Sequence, residues 1–340
     1  MKRRAFYLTL LIAIITTVAL SGCGSTASSG GAVDLKIMVG GLAKQIYLPN
    51  ELAQRLGYFK AEGLNVTLID EASGQSSEDE VIAGQVDAGS GAYNHTIQLQ
   101  AAGKNMEEVV QLGAAPGEAE VVSTKAAATI HSVADLKGKN LGITELGSGT
   151  QTLTEALLAH AGVPLDSVHW VPVGAGDTFI AALQQGKIDA GMTTEPTISR
   201  VISGNLGSVL VDLRTPSATQ QGLGGNYPFI CVFMKNDYVN SHKDVVQKLV
   251  NAYVKTLKYI QSHTAEQIAD QMPQDYYAGN KALYVQALQN QLQMFSPDGK
   301  MSSDGPQTVL NVLELVTPDL KSKNIDLSKT FTNEFADNAS

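Results

Sequence analysis

The chain predicts an α/β fold of two similar lobes, each a mainly parallel sheet flanked by helices, and three features of its order carry that expectation. A six-residue string recurs: Gly84-Gln85-Val86-Asp87-Ala88-Gly89 returns as Gly186-Lys187-Ile188-Asp189-Ala190-Gly191, 102 positions later. Each copy follows a short helical stretch, Ser77 to Ala83 in one case and Thr178 to Gln185 in the other. Upstream of both copies runs the same succession of strand, Gly-rich loop, helix and strand, so two β-α-β-α-β units are implied.

In chain order, Leu35-Lys36-Ile37-Met38-Val39 reads as the first strand. Gln45 to Leu56 reads as a helix leaving through Gly57, and Asn65 to Ile69 as the next strand. The helix over Ser77 to Ala83 stops at Gly84, because glycine adopts the left-handed conformation past a helix at little steric cost. Val86 then opens a buried strand. The second unit repeats this plan with Asn140 to Thr144, Thr150 to Ala161, the exit at Gly162, Ser167 to Val173, and Gly186.

Between the units, Glu120-Val121-Val122-Ser123-Thr124 is expected to be a strand leaving the first lobe. The turn Asp135-Leu136-Lys137-Gly138-Lys139 opens the second, its charges reading as a solvated face. After Arg214 a loop rich in Gly, Thr and Gln runs to Tyr227-Pro228, and the apolar strand Phe229 to Met234 returns to lobe one. Val245, Val246, Leu249, Val250, Tyr253, Leu257 and Ile260 recur at helical spacing and mark a long amphipathic helix. Further helices are expected over Ala265 to Gln271, Lys281 to Met294 and Gln307 to Leu315.

The start of the chain is of another kind. Lys2, Arg3 and Arg4 precede a fifteen-residue, mostly apolar run from Phe6 to Leu20, and Leu20-Ser21-Gly22-Cys23 follows. That run is shorter than the roughly 20 apolar residues of a membrane span, and Thr9, Thr16 and Thr17 interrupt it. Small residues ahead of a cysteine suit a lipoprotein signal peptide over residues 1–22, with lipid carried on Cys23. The small-residue tract after it makes residues 23–33 a flexible tether.

About 310 residues remain, enough for a large core, and chains of this size usually divide into two domains or lobes. The chain carries 24 basic against 33 acidic residues; without Lys2, Arg3 and Arg4 the balance is 21 against 33, a net −12. So acidic a chain, with no basic cluster, argues against nucleic acid as a partner. Cys231 has no intrachain partner once Cys23 is lipidated, and its apolar setting reads as a buried inert thiol.

In open parallel sheets, ligands sit beyond the carboxyl ends of the strands. In lobe one this selects Gly41 and Lys44, Ser73 and Gly74, and Tyr93-Asn94-His95. In lobe two it selects Ser148-Gly149-Thr150, Thr194 and Glu195, and Asn226 and Tyr227 at the return complete the set. Ser148-Gly149-Thr150 opens a helix with small residues, which leaves its first amides free for an anion while Ser148 can cap it. Tyr93-Asn94-His95 offers a flat apolar face with hydrogen-bonding groups, and Lys44 is a candidate cation for an anionic ligand.

Catalytic signatures are missing: there is no G-x-S-x-G, no Walker loop, and Gly147-Ser148-Gly149 lacks the third glycine of a dinucleotide fingerprint. The six histidines form no H-x-x-x-H pair and have no second cysteine nearby, so neither a catalytic metal nor a cofactor is expected.

Ile46-Tyr47-Leu48-Pro49, the string Leu56-Gly57-Tyr58-Phe59-Lys60-Ala61-Glu62-Gly63-Leu64-Asn65-Val66, and Gly89-Ser90-Gly91-Ala92-Tyr93 resemble the first-lobe signature of a known family. Tyr284 to Phe295 with Ser296-Pro297-Asp298-Gly299 resembles its C-terminal segment. The family is that of the sulfonate, taurine, nitrate and thiamine-pyrimidine type of solute-binding lipoproteins of ATP-driven importers. The resemblance implies a type II periplasmic-binding-protein fold whose chain crosses twice between lobes, residues 34–123 and 226–340 forming lobe one and 124–225 lobe two. It implies a monomeric, exported, membrane-anchored receptor that closes on a sulfonate, aromatic acid or pyrimidine-like solute and presents it to a permease and ATPase. The fungal pyrimidine synthases that share the fold depend on a cysteine-rich motif, which Cys23 and Cys231 cannot supply. The alternatives are an extracytoplasmic enzyme using Glu195 or His95 as acid or base, and a ligand sensor.

Overall fold

The structure, a computed structural model, describes residues 31–339. The signal peptide expected over 1–22, the lipid site at Cys23 and nearly all of the tether lie outside the described residues. Among the described residues, no helix is long and apolar enough to cross a membrane.

The first run comprises β1 (Val33–Val39), α1 (Leu48–Arg55), α2 (Tyr58–Ala61), β2 (Leu64–Asp70), α3 (Gly74–Ala83), β3 (Ala88–Ala92), α4 (Asn94–Ala101) and β4 (Met106–Gln111). The second comprises β5 (Glu118–Ser123), β6 (Asn140–Ile143), α5 (Gly149–His160), β7 (His169–Pro172), α6 (Asp177–Gln185), β8 (Ala190–Thr194), α7 (Thr197–Ser203), β9 (Gly207–Leu213) and α8 (Pro216–Leu223). The chain then continues through β10 (Ile230–Lys235), α9 (Asn236–Ser241), α10 (Lys243–Ser262), α11 (Ala265–Ala269), α12 (Lys281–Gln291), α13 (Gly305–Val316) and α14 (Glu334–Asp337).

Two five-stranded sheets result, ordered β2-β1-β3-β10-β4 and β7-β6-β8-β5-β9. The strand orders match position for position. β1, β2 and β3 are parallel, as are β6, β7 and β8; β10 and β5 run antiparallel to both neighbours. Each sheet therefore takes its odd strand from the stretch that has just crossed over: β5 follows β4 into the second sheet, and β10 returns to the first. The second sheet buries apolar residues on both faces, Leu141 and Leu158 in one cluster and Phe179, Leu183 and Ile198 in the other. α10 lays Val246, Leu249, Val250, Tyr253 and Leu257 into the core of the first lobe. α13 packs on α5 and α12 on α7, so the C-terminal segment touches the second lobe as well as the first.

The recurrent string has a physical explanation at each position. Gly84 and Gly186 end α3 and α6 with φ of 76° and 74°, in the left-handed region. Asp87 accepts the Lys36 amide at 2.8 Å, and Asp189 accepts the Asn140 amide at 2.9 Å, so each aspartate pins the start of β3 or β8 to the start of β1 or β6. At Gly89 a Cβ would lie 2.3 Å from the Phe233 ring of β10, and at Gly191 it would lie 2.6 Å from the Gly142 oxygen of β6. The second glycine of each copy is what lets the neighbouring strand approach.

Three expectations are corrected. Glu118–Ser123 does not leave the first lobe; it lies between β8 and β9 in the second sheet, and the chain crosses ahead of Glu118, not at Ser123. Glu118 pairs with Thr194 and Leu213, which fixes it there. The loop expected after Arg214 contains α8, capped by the Thr215 hydroxyl with Pro216 in its first turn and Gly224 at its end. Asn94 and His95, expected beyond a strand's carboxyl end in the loop that lines the site, form the first turn of α4.

Gly191→Ala is expected to lower stability by about 1–3 kcal/mol, because its three nearest atoms belong to the β6 backbone and the strand itself has to shift. Urea unfolding followed by circular dichroism measures this as a lower midpoint with an unchanged slope.

Candidate functional site

The two crossings run side by side and are tied to each other. The Gly117 amide donates to Leu213 O at 3.1 Å, and the Phe229 amide donates to Gly113 O at 2.9 Å. Above them the strand ends of both sheets point into one cleft. Its lining includes Lys44, Ser73, Gly74 and His95 from lobe one, with Ser148, Gly149, Thr150 and Thr194 from lobe two. Eight of the fourteen expected contact residues thus converge. The floor and apolar wall were not anticipated: Glu118, Phe229 and Tyr47 also line the cleft.

The lobes are drawn together. The Gln45 amide donates to Glu195 O at 2.9 Å across the cleft. Glu145, at the end of β6, accepts from the hydroxyl of Ser73, the α3 cap, and from Ser76 Oγ at 3.0 Å. A Cβ on Gly149 would fall 2.5 Å from the Phe229 ring and 3.3 Å from Ala92 Cβ. In this closed arrangement the cavity offers about 20 Å³ to the centre of a water-sized sphere, room for little more than a water. A vestibule of about 290 Å³ by the same measure adjoins it at Lys44 and is lined by Gly41, Asp70, Ala175, Thr197, Arg200 and Tyr276 among others.

Lobe two presents a prepared helix end. Ser148 caps α5 by accepting the Gln151 amide at 3.5 Å, and its hydroxyl lies 2.7 Å from Thr150 Oγ1, which in turn accepts the Thr144 amide at 2.9 Å. Among the described residues, no protein acceptor meets the amides of Gly149 and Thr150. These amides and the helix dipole suit an anionic or strongly accepting group.

Lobe one contributes Lys44, whose ammonium is enclosed by protein although the residue is partly exposed. Nζ donates to Gly40 O at 2.6 Å and Ala72 O at 2.7 Å. Desolvation lowers its pKa to about 8, against the opposing pull of Glu118, Asp70 and Glu145. Glu118 is 3% exposed, and burial raises its carboxyl to about 8, with Lys44 pulling it down and Glu120 pushing it up. Among the described residues its Oε2 finds no hydrogen-bond partner. His95 is fully buried; its Nδ1 lies 3.0 Å from Glu78 Oε2, yet neither ring nitrogen makes an aligned hydrogen bond.

The remaining expected residues lie elsewhere. Gly41 lines the vestibule, with φ of 124° and the Lys44 side chain folded over it. Tyr93 is buried behind β3, its hydroxyl 2.5 Å from Thr330 Oγ1 and its ring against Phe331. Asn94 is buried and donates to Gln98 Oε1 at 2.9 Å within α4. Glu195 is 0% exposed and accepts from Arg214 at 2.7 Å and from the Ser199 amide at 2.9 Å. Those bonds occupy its carboxylate, which removes it as a candidate acid or base. Asn226 bridges Gln220 and Asp304 at the surface, and Tyr227 packs against Phe229 outside the cleft lining.

Residues 47–267 match the model of a family described as NMT1/THI5 like. A solved structure from Bordetella bronchiseptica RB50 superposes with a TM-score of 0.87 at 35% identity, covering 90% of this chain and 96% of that one. The alkanesulfonate-binding protein of Xanthomonas axonopodis pv. citri, solved bound to MOPS, superposes with a TM-score of 0.71 at 16% identity, covering 89% of this chain and 99% of that one. That likeness places the fold in the type II periplasmic-binding-protein class. A 4-amino-5-hydroxymethyl-2-methylpyrimidine phosphate synthase of Saccharomyces cerevisiae is 28% identical over 149 residues, 44% of this chain and 42% of the enzyme. The chain thus matches less than half the length of that relative.

The buried carboxyl sets a pH dependence. Glu118, raised from an ordinary 4.5 to about 8, holds a proton in the folded state that the unfolded chain releases. Its contribution to stability is complete below about pH 4.5 and is lost as pH climbs through about 8. Glu120, raised to about 8 on the same strand, adds in the same direction. Thermal unfolding of Glu118→Gln is expected to fall less steeply between pH 5 and 8 than that of the parent, since one of these carboxyls is gone.

Proposed function

The chain belongs to the NMT1/THI5-like family, and from that premise we propose that it is the extracytoplasmic solute-binding subunit of an ABC transporter. It takes a small organic solute, a sulfonate, aromatic acid or pyrimidine-like compound, between its lobes and delivers it to a membrane permease. The N-terminal segment directs export, and lipid on Cys23 holds the receptor at the membrane. The observation that carries this reading is the interlobe cleft itself, lined from both sheets and closed over almost no free volume. A solute held between the lobes touches both at once and so stabilises a closed arrangement, one parted from this structure by the width of the solute, which is how binding is converted into a shape a permease can read.

A synthase reading draws on the fungal relative and on His95 in the cleft. It is the weaker one. The chain has two cysteines, and Cys231 is buried in β10, away from the cleft lining. Incubation of the protein with its bound solute is expected to return that solute unchanged by mass spectrometry.

Native mass spectrometry of freshly purified protein is expected to reveal one co-purifying small molecule per chain, and rebinding it is expected to reduce the radius of gyration by small-angle scattering. Gly149→Val places branched carbon where Phe229 and Ala92 meet the helix end. It is expected to weaken binding at least about tenfold and, since the buried Phe229 ring has to give way, to lower the unfolding midpoint, with circular dichroism confirming that the variant is folded at the temperature of titration. Binding unaffected by this substitution removes the cleft from the proposal.

A further inference from the structure

Resting on the solute-receptor reading, we propose that Glu118 is the specificity-determining residue of the cleft and that the solute presents an N–H donor to it, as a small amine or an amino-substituted ring. The donor faces Glu118, and an acidic or accepting group on the same molecule faces the α5 amides.

The position of Glu118 argues for it. β5 alternates its side chains, so Glu118 and Glu120 share a face at the strand end nearest the crossing, where pairing with Thr194 and Leu213 holds the backbone on both sides. Glu118 lines the cleft, is nearly inaccessible, and leaves Oε2 without a partner. A buried polar group left unpaired costs on the order of 1–3 kcal/mol, and a buried carboxylate is costlier still. The charged and titratable groups around it do not relieve this. Lys44 attracts it from a distance but spends two of its three ammonium hydrogens on Gly40 and Ala72, and among the described residues it forms no hydrogen-bonded ion pair with Glu118. Glu120 repels it and is engaged by Thr154 at 2.7 Å. Tyr47 and Tyr227 are held protonated by burial with a further push from Glu118, and neither phenol bonds to it.

The opposite wall has the reverse need. The free amides of Gly149 and Thr150 want an acceptor, and Glu145, the carboxylate nearest in sequence, is already committed to Ser73 and Ser76. A solute with a donor at one end and an acceptor at the other satisfies both walls, with Tyr47 and Phe229 as its apolar sides. A site built to meet an N–H discriminates against an analogue that lacks it, because the carboxyl is then left buried and unpaired.

The test uses three matched pairs: 2-aminoethanesulfonate against propane-1-sulfonate, 4-amino-2-methylpyrimidine against 2,4-dimethylpyrimidine, and 4-aminobenzoate against 4-methylbenzoate. Each pair replaces NH₂ by CH₃, and each is titrated calorimetrically into the parent protein, Glu118→Gln and Glu118→Leu, with circular dichroism confirming that the variants are folded. In whichever pair binds, the amino member is expected to bind the parent at least about tenfold more tightly, in line with the cost of leaving a buried carboxyl oxygen without a donor. Glu118→Leu is expected to abolish that preference and Glu118→Gln to reduce it. Equal affinity for both members, or a preference that survives Glu118→Leu, overturns the role of Glu118 and leaves solute binding intact. No binding of any member to the parent protein overturns the receptor reading together with this one.

Discussion

The whole molecule depends on an exchange of strands. Each sheet is completed by an antiparallel strand that the chain supplies directly after crossing from the other lobe, β5 in one direction and β10 in the other. Because the crossings are hydrogen-bonded to each other through Phe229 with Gly113, and the first is also held to the end of β9 through Gly117 with Leu213, they form one narrow connection and not two independent linkers. Glu118, the first residue of β5, and Phe229, immediately ahead of β10, then have to lie at the base of the cleft. Fold connectivity, not a dedicated loop, delivers the floor of the site.

The recurrent string serves the same constraint from within each lobe. Its aspartate ties the third strand to the first, its left-handed glycine ends the preceding helix, and its last glycine admits the adjacent strand. The neighbours differ: Phe233 from the exchanged strand presses on Gly89, whereas the backbone of β6 presses on Gly191. Two lobes thus keep one pattern for related backbone reasons while their side-chain packing diverges.

Backbone-driven features of this kind were legible in the sequence, and so were α10 with its single apolar face and the convergence of Lys44, Ser73, His95, Ser148, Gly149 and Thr194. Features set by which lobe a strand joins were not. Glu118-Ala119-Glu120 carries no local mark of its lobe, and only pairing with β8 and β9 places it in the second sheet and buries both carboxyls. Phe229 in an apolar run looks like any core residue. Tyr93 stands at the correct strand end, but its hydroxyl is claimed by Thr330, 237 positions away, a contact no local pattern encodes. For α8 the signal was present in Thr215-Pro216 and Gly224, obscured by a Gly- and Gln-rich composition.

The duplicated halves also part company at their helix ends, and this decides what the cleft can hold. Both α3 and α5 begin at a serine cap at the tip of a strand-loop unit, and both carry the partial positive charge of a helix N-terminus. In lobe one the cap is met by the chain's own carboxylate, Glu145 reaching across from lobe two. In lobe two, among the described residues, no carboxylate reaches the Ser148 cap, whose hydroxyl meets Thr150 instead. The Glu145 contact is thus an internal source of stability for the closed form, separate from α5, and an anion at α5 does not compete with Glu145 for α3. On the proposed receptor reading, a ligand shifts the equilibrium only by its differential affinity for the two states, so the Glu145 contact lowers the shift a solute has to supply, and the contacts proposed at α5 and Glu118 are left to determine which solute supplies it.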